Sequence, residues 1–276
     1  MEFFHVNGML AFTSHSTDKE GYLKSLCVNG KNILTKWGIE FSDGDRFFIQ
    51  NQQSHAPHEI ISTTIEKNRT RSTLLVHLSK STLRIEVDET FSPKKIIRRY
   101  TIFPLQDTHF MDISISQAFE RNAFEHVEMN GLVLPFDGIE RNHQFEVNHA
   151  RLVGKEFDVE IDFDIPHNRT GLIPTIYSRS GNRFGWAIHS RLFPKSIAKK
   201  AIMWCNAAWN KRVPFSDVLS KIDPLVNYLW YVGEKPELAK RRTFGFASFG
   251  LALAPKNTPI EMVQTLTLKP KKVSKK

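Results

Sequence analysis

The sequence is poor in cysteine and has no long apolar run. Cys27 and Cys205 are the only two cysteines among 276 residues, and neither has histidine partners at the spacings of a structural zinc site. We therefore predict two buried free thiols. No stretch approaches the roughly 20 apolar residues that a membrane-spanning helix needs, so no membrane partner is expected. Residues Met1–His5 lack the basic and apolar regions of a secretory signal, so a cytoplasmic location is the default prediction.

Motifs for nucleophilic, nucleotide-dependent and metal-dependent catalysis are also missing. The chain has no nucleophile elbow, no cysteine in an activating motif and no glycine-rich phosphate loop. The segment His55–Glu59 contains two histidines and a glutamate, but Pro57 prevents the regular helix on which a metalloprotease site is built. A loop metal site stays a minor alternative there. We predict no cofactor and no metal.

Strand patterns, by contrast, are abundant. The chain contains 21 phenylalanines and five tryptophans, and flat aromatic side chains suit sheets that pack face to face. Between Ser72 and Phe119, four runs alternate apolar and polar residues, and Pro93 and Pro104 lie in the breaks between them. We interpret these runs as four consecutive strands of one antiparallel meander.

Two hairpin turns and one further strand stand out. Asn29-Gly30 and Asn130-Gly131 are typical of tight hairpin turns. Phe157–Ile165 is the most regular alternation in the chain and predicts a strand that ends before Pro166. Four acidic residues share one face of this strand: Asp158, Glu160, Asp162 and Asp164. Because they repel one another, we expect a solvent face with Lys or Arg partners on adjacent strands, with a calcium site as the alternative.

Helical signals are few. Pro214–Ile222 and Lys235–Arg242 each predict a short helix, because each has a proline near its start. No linker-like segment divides the chain. The prediction is an all-β protein, a large antiparallel β-sandwich with a few short helices, in a single domain of residues 1–268.

The positive charge is concentrated at the C-terminus. The chain carries a formal net charge of +9, and five of these charges are lysines in residues 269–276, which leaves +4 for the rest. We predict that residues 269–276 form a basic, disordered tail, with a weak anion or nucleic-acid contact as the alternative. No nucleic-acid partner is expected. A mildly basic body fits an anionic ligand.

Three segments together resemble one protein family. Tyr22–Leu34, Thr82–Ser116 and Phe249–Thr258 are similar, in this order, to the opening hairpin, the central strands and the late strand and turn of galactose mutarotase-like proteins. They cover 13, 35 and 10 residues, about a fifth of the 276 residues of the chain. The resemblance implies a supersandwich of two large antiparallel sheets, with sugars bound on the concave face. Aldose 1-epimerases, hexose-phosphate epimerases and domains of polysaccharide lyases and glycoside hydrolases share this fold, which by itself confers none of these activities.

One family motif is missing. Aldose epimerases carry an asparagine-histidine-aromatic motif after the central strands, whereas this region contains no histidine between Gln117 and Asn122. His126 follows later, without the context of the motif. The catalytic histidine of the family therefore cannot be assigned to a position in this chain.

The predicted catalytic residues are His189 and Glu234. Mutarotation needs one group to take the proton of the anomeric hydroxyl and another to protonate the ring oxygen, roles that a histidine and a carboxylate can share. On a strand, His189 shares its face with the small residues Gly185 and Ala187, which would leave it in a shallow depression, whereas Trp186 lies on the opposite face. Glu234 follows an aromatic stretch. A structural histidine and a plain surface glutamate are the alternatives.

Residues that suit a sugar or its anionic groups lie nearby in the sequence. The glycine turn Arg179–Arg183 is flanked by two arginines, whose guanidinium groups suit phosphate or carboxylate. Aromatic rings present flat apolar faces to the C–H groups of sugars. The predicted substrate-binding residues are Tyr177, Arg179, Arg183, Trp186 and Trp230. A solvated hairpin tip and buried core aromatics are the alternatives.

These features favour a carbohydrate-binding protein of the galactose mutarotase-like type that binds a saccharide, neutral or anionic. If the protein is an enzyme, we expect an aldose or sugar-phosphate 1-epimerase that uses acid–base catalysis. The alternative is a non-catalytic module that recognises a glycan or a protein in polysaccharide metabolism. A remnant of a lyase or hydrolase is the third hypothesis, weakened because a catalytic helical domain is missing.

Overall fold

Strands dominate the computed structural model of the protein, and helix is almost absent from the residues that it describes. These residues are 12–14, 23–42, 47–49, 56–78, 81–110, 112–136, 138, 141–166, 171–181, 185–195 and 252–271. Cys205 and the two predicted helices, residues 214–222 and 235–242, lie outside them.

The strands of the first half are β1 (Phe12–Ser14), β2 (Leu26–Val28), β3 (Lys31–Asn32), β4 (Leu34–Ser42), β5 (Phe47–Ile49), β6 (His58–Glu66), β7 (Arg69–His77), β8 (Thr82–Phe91), β9 (Lys95–Pro104), β10 (Thr108–Phe110) and β11 (Asp112–Phe119). A 3₁₀ turn at Arg121–Ala123 precedes β12 (His126–Met129), β13 (Leu132–Pro135), β14 (Arg141–Phe145), β15 (His149–Val153), β16 (Phe157–Asp164), β17 (Leu172–Gly181), β18 (Gly185–Pro194), β19 (Ala252–Ala254) and β20 (Ile260–Pro270).

Two large antiparallel sheets form the sandwich. One has nine strands in the order β13-β12-β15-β16-β20-β9-β8-β7-β6, and the other has six in the order β14-β17-β18-β11-β4-β5. Two small sheets, β1-β2-β3 and β10-β19, accompany them. The predicted all-β antiparallel sandwich is confirmed for the described part of the chain.

Apolar side chains from both large sheets meet between them. One cluster of buried residues joins Trp37 and Ile188 of the six-stranded sheet to Ile161 of the nine-stranded sheet. A second cluster joins Ile115 to Ile85 in the same way. Each of these residues alternates along its strand with a residue on the opposite face, so every strand of the six-stranded sheet also has a face directed away from this core.

Both predicted hairpin turns are confirmed. Asn29 and Gly30 have φ angles of 52° and 71°, and Asn130 and Gly131 have φ angles of 53° and 71°. Two successive residues with positive φ are the signature of a type I′ turn, which Asn-Gly adopts readily. The first turn joins β2 to β3 and the second joins β12 to β13.

The prediction of a meander of four strands is only partly correct. β7, β8 and β9 are neighbours as predicted, and β9 ends at Pro104. The fourth strand, β11, lies in the other sheet between β4 and β18. The place beside β9 is filled by β20, which comes from the end of the described chain. Local alternation marks a strand but does not identify its partner.

The C-terminal boundary also differs from the prediction. β20 continues to Pro270, so Lys269 pairs with Asp158 of β16. Nζ of Lys271 donates to the carbonyl oxygen of Gly154 at 2.6 Å. Residues 269–271 of the predicted tail therefore contact the nine-stranded sheet, and Lys269 and Lys271 form ion pairs with Glu160 and Asp158 of β16.

Candidate functional site

The outer face of the six-stranded sheet is unusually polar. Ile39 of β4, Ile115 of β11 and Ile188 of β18 point into the core between the sheets. Residues of the opposite parity on these strands, and their neighbours on β14 and β17, lie on the other face. We call this set the polar face: Lys36, Glu40, Ser114, Ser116, Asn142, Gln144, Thr175, Tyr177, Arg179, His189 and Arg191.

Strand register places His189 in the middle of this face. His189 is opposite Tyr177 on one side and opposite Ser116 on the other. The same row continues to Gln144 beyond Tyr177 and to Gly38 beyond Ser116. Serine and glycine are small, so the bulky register neighbour of His189 is Tyr177. The depression beside His189 stays a prediction.

Glu40 and His189 form a buried acid–histidine pair on the polar face. Oε2 of Glu40 lies 3.5 Å from Nδ1 of His189, and the two side chains are 9% and 16% exposed. The other carboxylate oxygen of Glu40 contacts Nζ of Lys36. Gly38 lies between Lys36 and Glu40 on the same face, and its lack of a side chain leaves room for this contact. The three charged or titratable groups thus form one connected cluster.

Burial and neighbouring charges shift the pKa values of this pair. Burial by itself raises the pKa of Glu40, but the positive charges of His189 and Lys36 together lower it to about 2. Burial lowers the pKa of His189 to about 4; Glu40 opposes this effect, while Lys36, Arg191 and Arg179 add to it. Above pH 4, the site therefore holds an ionised carboxylate beside a neutral imidazole.

An aromatic ring and a guanidinium group extend the site along the sheet. The ring of Tyr177 meets that of His189 edge to face, with centroids 5.1 Å apart, and its Oη donates to Oδ1 of Asn142 at 2.5 Å. Cζ of Arg191 lies 5.9 Å from the centroid of the Tyr177 ring. Nη1 of Arg191 donates to Oε1 of Gln144 at 3.3 Å. These contacts restrict the positions of Tyr177 and Arg191.

Three of the seven predicted site residues lie together on the polar face: Tyr177, Arg179 and His189. Trp186 does not lie with them. It is 1% exposed and belongs to the core between the sheets, where its Nε1 donates to the carbonyl oxygen of Arg121 at 3.1 Å. The period of two along β18 places it opposite His189. The remaining three, Arg183, Trp230 and Glu234, lie outside the described residues and stay predictions.

Sequence reasoning missed Glu40, Lys36 and Arg191. In β4, Trp37, Ile39 and Phe41 alternate with the outward residues, and this pattern could have identified the face that carries Lys36 and Glu40. The proximity of Lys36 and Glu40 to His189 could not have been predicted, because β11 separates β4 from β18 in the sheet and is distant from both in the sequence.

Metal-binding clusters and membrane-spanning helices are both absent from the described residues. No group of three or more His, Cys, Asp or Glu side chains in this part of the chain could hold a metal ion. Among the same residues, no helix is both long enough and apolar enough to cross a bilayer.

Comparisons with known proteins identify the fold. No protein-family model and no curated protein sequence matches the chain. Solved structures do. An aldose 1-epimerase candidate from Escherichia coli K12 has a TM-score of 0.53 at 9% identity, over 95% of this chain and 97% of that one. The chain has the galactose mutarotase-like fold.

Two further solved structures are similar to this protein over nearly the whole chain. A galactose mutarotase-like protein from Clostridium acetobutylicum has a TM-score of 0.50 at 9% identity, over 95% of this chain and 94% of that one. The Slr1438 protein from Synechocystis sp. PCC 6803 has a TM-score of 0.50 at 10% identity, over 97% of this chain and 94% of that one. At such identities, the likeness is one of fold, and residue roles must come from the site itself.

Proposed function

We propose that this protein binds a saccharide on the polar face and acts on it as an aldose or sugar-phosphate 1-epimerase. The observation that carries the proposal is the buried Glu40–His189 pair in the middle of this face. Two structurally similar proteins bear names of the same kind, an aldose 1-epimerase candidate and a galactose mutarotase-like protein. Their names support the reaction class without assigning any residue.

At neutral pH the pair is in the protonation state that a general base needs, a neutral imidazole beside a carboxylate. A neutral His189 can accept the proton of the anomeric hydroxyl, and the carboxylate of Glu40 stabilises the imidazolium that results. The ring oxygen must then be protonated before the ring opens. Lys36, whose ammonium group contacts Glu40, is a described donor on the same face. Glu234 remains the second predicted catalytic residue.

The charges of the polar face favour an anionic sugar. Its described ionic side chains are three cations, Lys36, Arg179 and Arg191, and one carboxylate, that of Glu40. Guanidinium groups are rigid forks of donors that suit the oxygens of a sugar phosphate or a sugar carboxylate. We therefore propose an anionic saccharide in preference to a neutral one.

Polarimetry on freshly dissolved pure anomers tests the catalytic proposal. The protein should accelerate the approach to rotational equilibrium for at least one hexose or hexose phosphate. General acid–base groups contribute about 10²- to 10⁴-fold, so we expect His189→Asn to slow the reaction about 100-fold or more. His149→Asn is the matched control, because His149 also pairs with an acid but is exposed; it should stay within about twofold of the wild type. Equal effects of both substitutions would contradict the assignment of His189.

A non-catalytic role is the second candidate, and the missing histidine motif between Gln117 and Asn122 favours it. A glycan-recognition module would bind saccharides on the polar face without accelerating mutarotation. Binding on a glycan array that is lost in Tyr177→Ala, combined with no acceleration for any anomer, would select this function. The predicted cytoplasmic location is compatible with both.

A further inference from the structure

A buried ion pair lies between the two sheets, behind the polar face. The side chains of Arg98 and Glu89 are 0% and 1% exposed, and Nε of Arg98 donates to Oε1 of Glu89 at 2.8 Å. Glu89, Arg98 and Gln264 are directly opposite one another on β8, β9 and β20, so they form one row on the inner face of the nine-stranded sheet. Tyr100 Oη accepts from Arg98 at 3.0 Å and donates to Glu89 at 2.9 Å.

This row attaches to the backbone of the other sheet. Nη2 of Arg98 donates to the carbonyl oxygen of Gly38 at 3.1 Å, and Nη1 donates to that of Ser116 at 3.3 Å. Gln264 accepts from Arg98 at 3.1 Å through Oε1. Its Nε2 donates to Oγ of Ser190 at 2.7 Å. One connected network therefore contacts β4, β11 and β18.

The contacts fall on the part of the sheet that carries the candidate site. Gly38 is two residues before Glu40 on β4. Ser116 is the register partner of both Gly38 and His189. Ser190 directly follows His189 on β18. The network and the Glu40–His189 pair thus lie on opposite faces of the same short stretch of three adjacent strands.

Stability alone gives a weak reason for such a pair. Removing two charges from water costs more than their attraction returns in many proteins, and apolar replacements of buried ion pairs are often as stable or more stable. A guanidinium group, in contrast, is a rigid fork of donors that can fix several acceptors in one geometry. Trp37, whose ring lies 3.7 Å from Cζ of Arg98, further restricts this fork.

We propose that the Arg98–Glu89 pair is a positioning element, which holds β4, β11 and β18 so that Glu40 and His189 stay at a fixed separation on the polar face. Its catalytic consequence rests on the function proposed above, but its structural consequence does not. Without the pair, the three strands gain freedom and water reaches His189 more easily.

The titration of His189 reports this change directly. The charged and titratable groups that face His189 from the described strands are Glu40 and Lys36 on β4, Arg191 on β18, and Tyr177 and Arg179 on β17. None of these side chains belongs to the Arg98 network. A change in the pKa of His189 after substitution of the network would therefore reflect altered positions or hydration on the polar face.

The test is an NMR titration of the His189 imidazole in the full-length protein. The main variant is the double substitution E89L/R98M, which replaces the ion pair with apolar side chains and leaves no buried charge unpaired. Y100F, which removes one hydroxyl from the network, is the milder variant. D158N is the control, because Asp158 is also a buried, paired acid of the nine-stranded sheet but contacts Arg151 and Lys271.

We expect the pKa of His189 to rise by at least half a pH unit in E89L/R98M and by a smaller, measurable amount in Y100F, with no change in D158N. In an active enzyme, kcat for mutarotation should fall at least tenfold in E89L/R98M while KM changes less than twofold. A folded E89L/R98M variant in which His189 titrates as in the wild type would overturn the proposal. If that variant does not fold, an unchanged titration in Y100F would overturn it. A shifted titration in a protein without mutarotase activity would uphold the positioning role and reject the proposed enzyme.

Discussion

Two acid–histidine pairs lie on the outer faces of the two large sheets, and they differ more in burial than in distance. Asp162 and His149 of the nine-stranded sheet are closer, at 2.8 Å, but their side chains are 57% and 50% exposed. Glu40 and His189 of the six-stranded sheet are 3.5 Å apart and only 9% and 16% exposed. Proximity alone therefore does not distinguish a candidate functional pair from a surface ion pair, whereas burial does.

The surroundings of the two pairs also differ in their exposure to water. On the outer face of the nine-stranded sheet, neighbouring charges are matched across strands, as in Lys269–Glu160 and Arg99–Glu261. Such pairs offset the charge of an exposed surface. On the polar face, Glu40 and His189 are largely screened from water. Buried titratable groups with shifted pKa values cluster at functional sites, which is the physical basis for the proposal that the function lies there.

Removal of one acid from each pair should give the largest difference in stability. Glu40→Gln leaves Lys36 without its buried partner, and breaking a buried pair costs about 3–5 kcal/mol. Asp162→Asn breaks an exposed pair, for which about 1 kcal/mol or less is typical. Urea unfolding at neutral pH measures both free energies.

Equal losses in the two variants would mean that Glu40 is as well hydrated as Asp162, and the contrast between the faces would no longer hold. Asp164→Asn, an exposed acid on the same strand as Asp162, checks that loss of a negative charge from this strand has no general effect.

Local sequence patterns predict individual strands and turns of this fold but not which strands are neighbours. Local alternation was sufficient for β7, β8, β9 and β16, and the two Asn-Gly turns were sufficient for their hairpins. The period of two along β18 already placed Trp186 opposite His189, so including both in one site gave too much weight to the aromatic content of that region.

The pairing of strands that are distant in the chain could not be predicted from the sequence. β11 was predicted beside β9 but lies between β4 and β18, and this position brings Glu40 within reach of His189. Arg98 shares a face of β9 with Ile96 and Tyr100, so alternation places it on the buried side, but partners such as Gly38 and Gln264 lie far away in the chain. The position of β11 and the partners of Arg98 could not be predicted for one reason: the face on which a residue lies is a local property of its strand, whereas the choice of neighbouring strands depends on residues far away in the chain.

The pH dependence of stability should sharpen the contrast further. The pKa of His189 is about 4 in the folded protein and 6.5 for an ordinary histidine, so the unfolded chain binds more protons between these values. Stability is therefore fully present above pH 6.5 and is lost as the pH falls towards 4. At about 1.4 kcal/mol for each pH unit, the loss from this residue is on the order of 3 kcal/mol.

Unfolding free energies measured at pH 6.5 and at pH 4.5 would check this expectation. His189→Asn should remove most of the dependence in this range, since asparagine does not titrate, whereas His149→Asn should keep it. A wild-type protein whose stability does not change between these two pH values would place His189 in water and would contradict its burial.

The smallest expected effect concerns the exposed pair itself. A double-mutant cycle of Asp162→Asn and His149→Asn at pH 5.5 should give a coupling free energy of about 0.2–1 kcal/mol. The side chains of Asp162 and His149 are at least half exposed. We therefore expect 0.5 M salt to remove most of this coupling, because the Debye length is then only about a few ångströms. The corresponding cycle of Glu40→Gln and His189→Asn should change much less with salt, since His189 is neutral at this pH and its contact with Glu40 is not an ion pair. A coupling between Glu40 and His189 that salt abolishes as readily as the exposed one would make the two pairs equivalent, and the polar face would then be an ordinary protein surface.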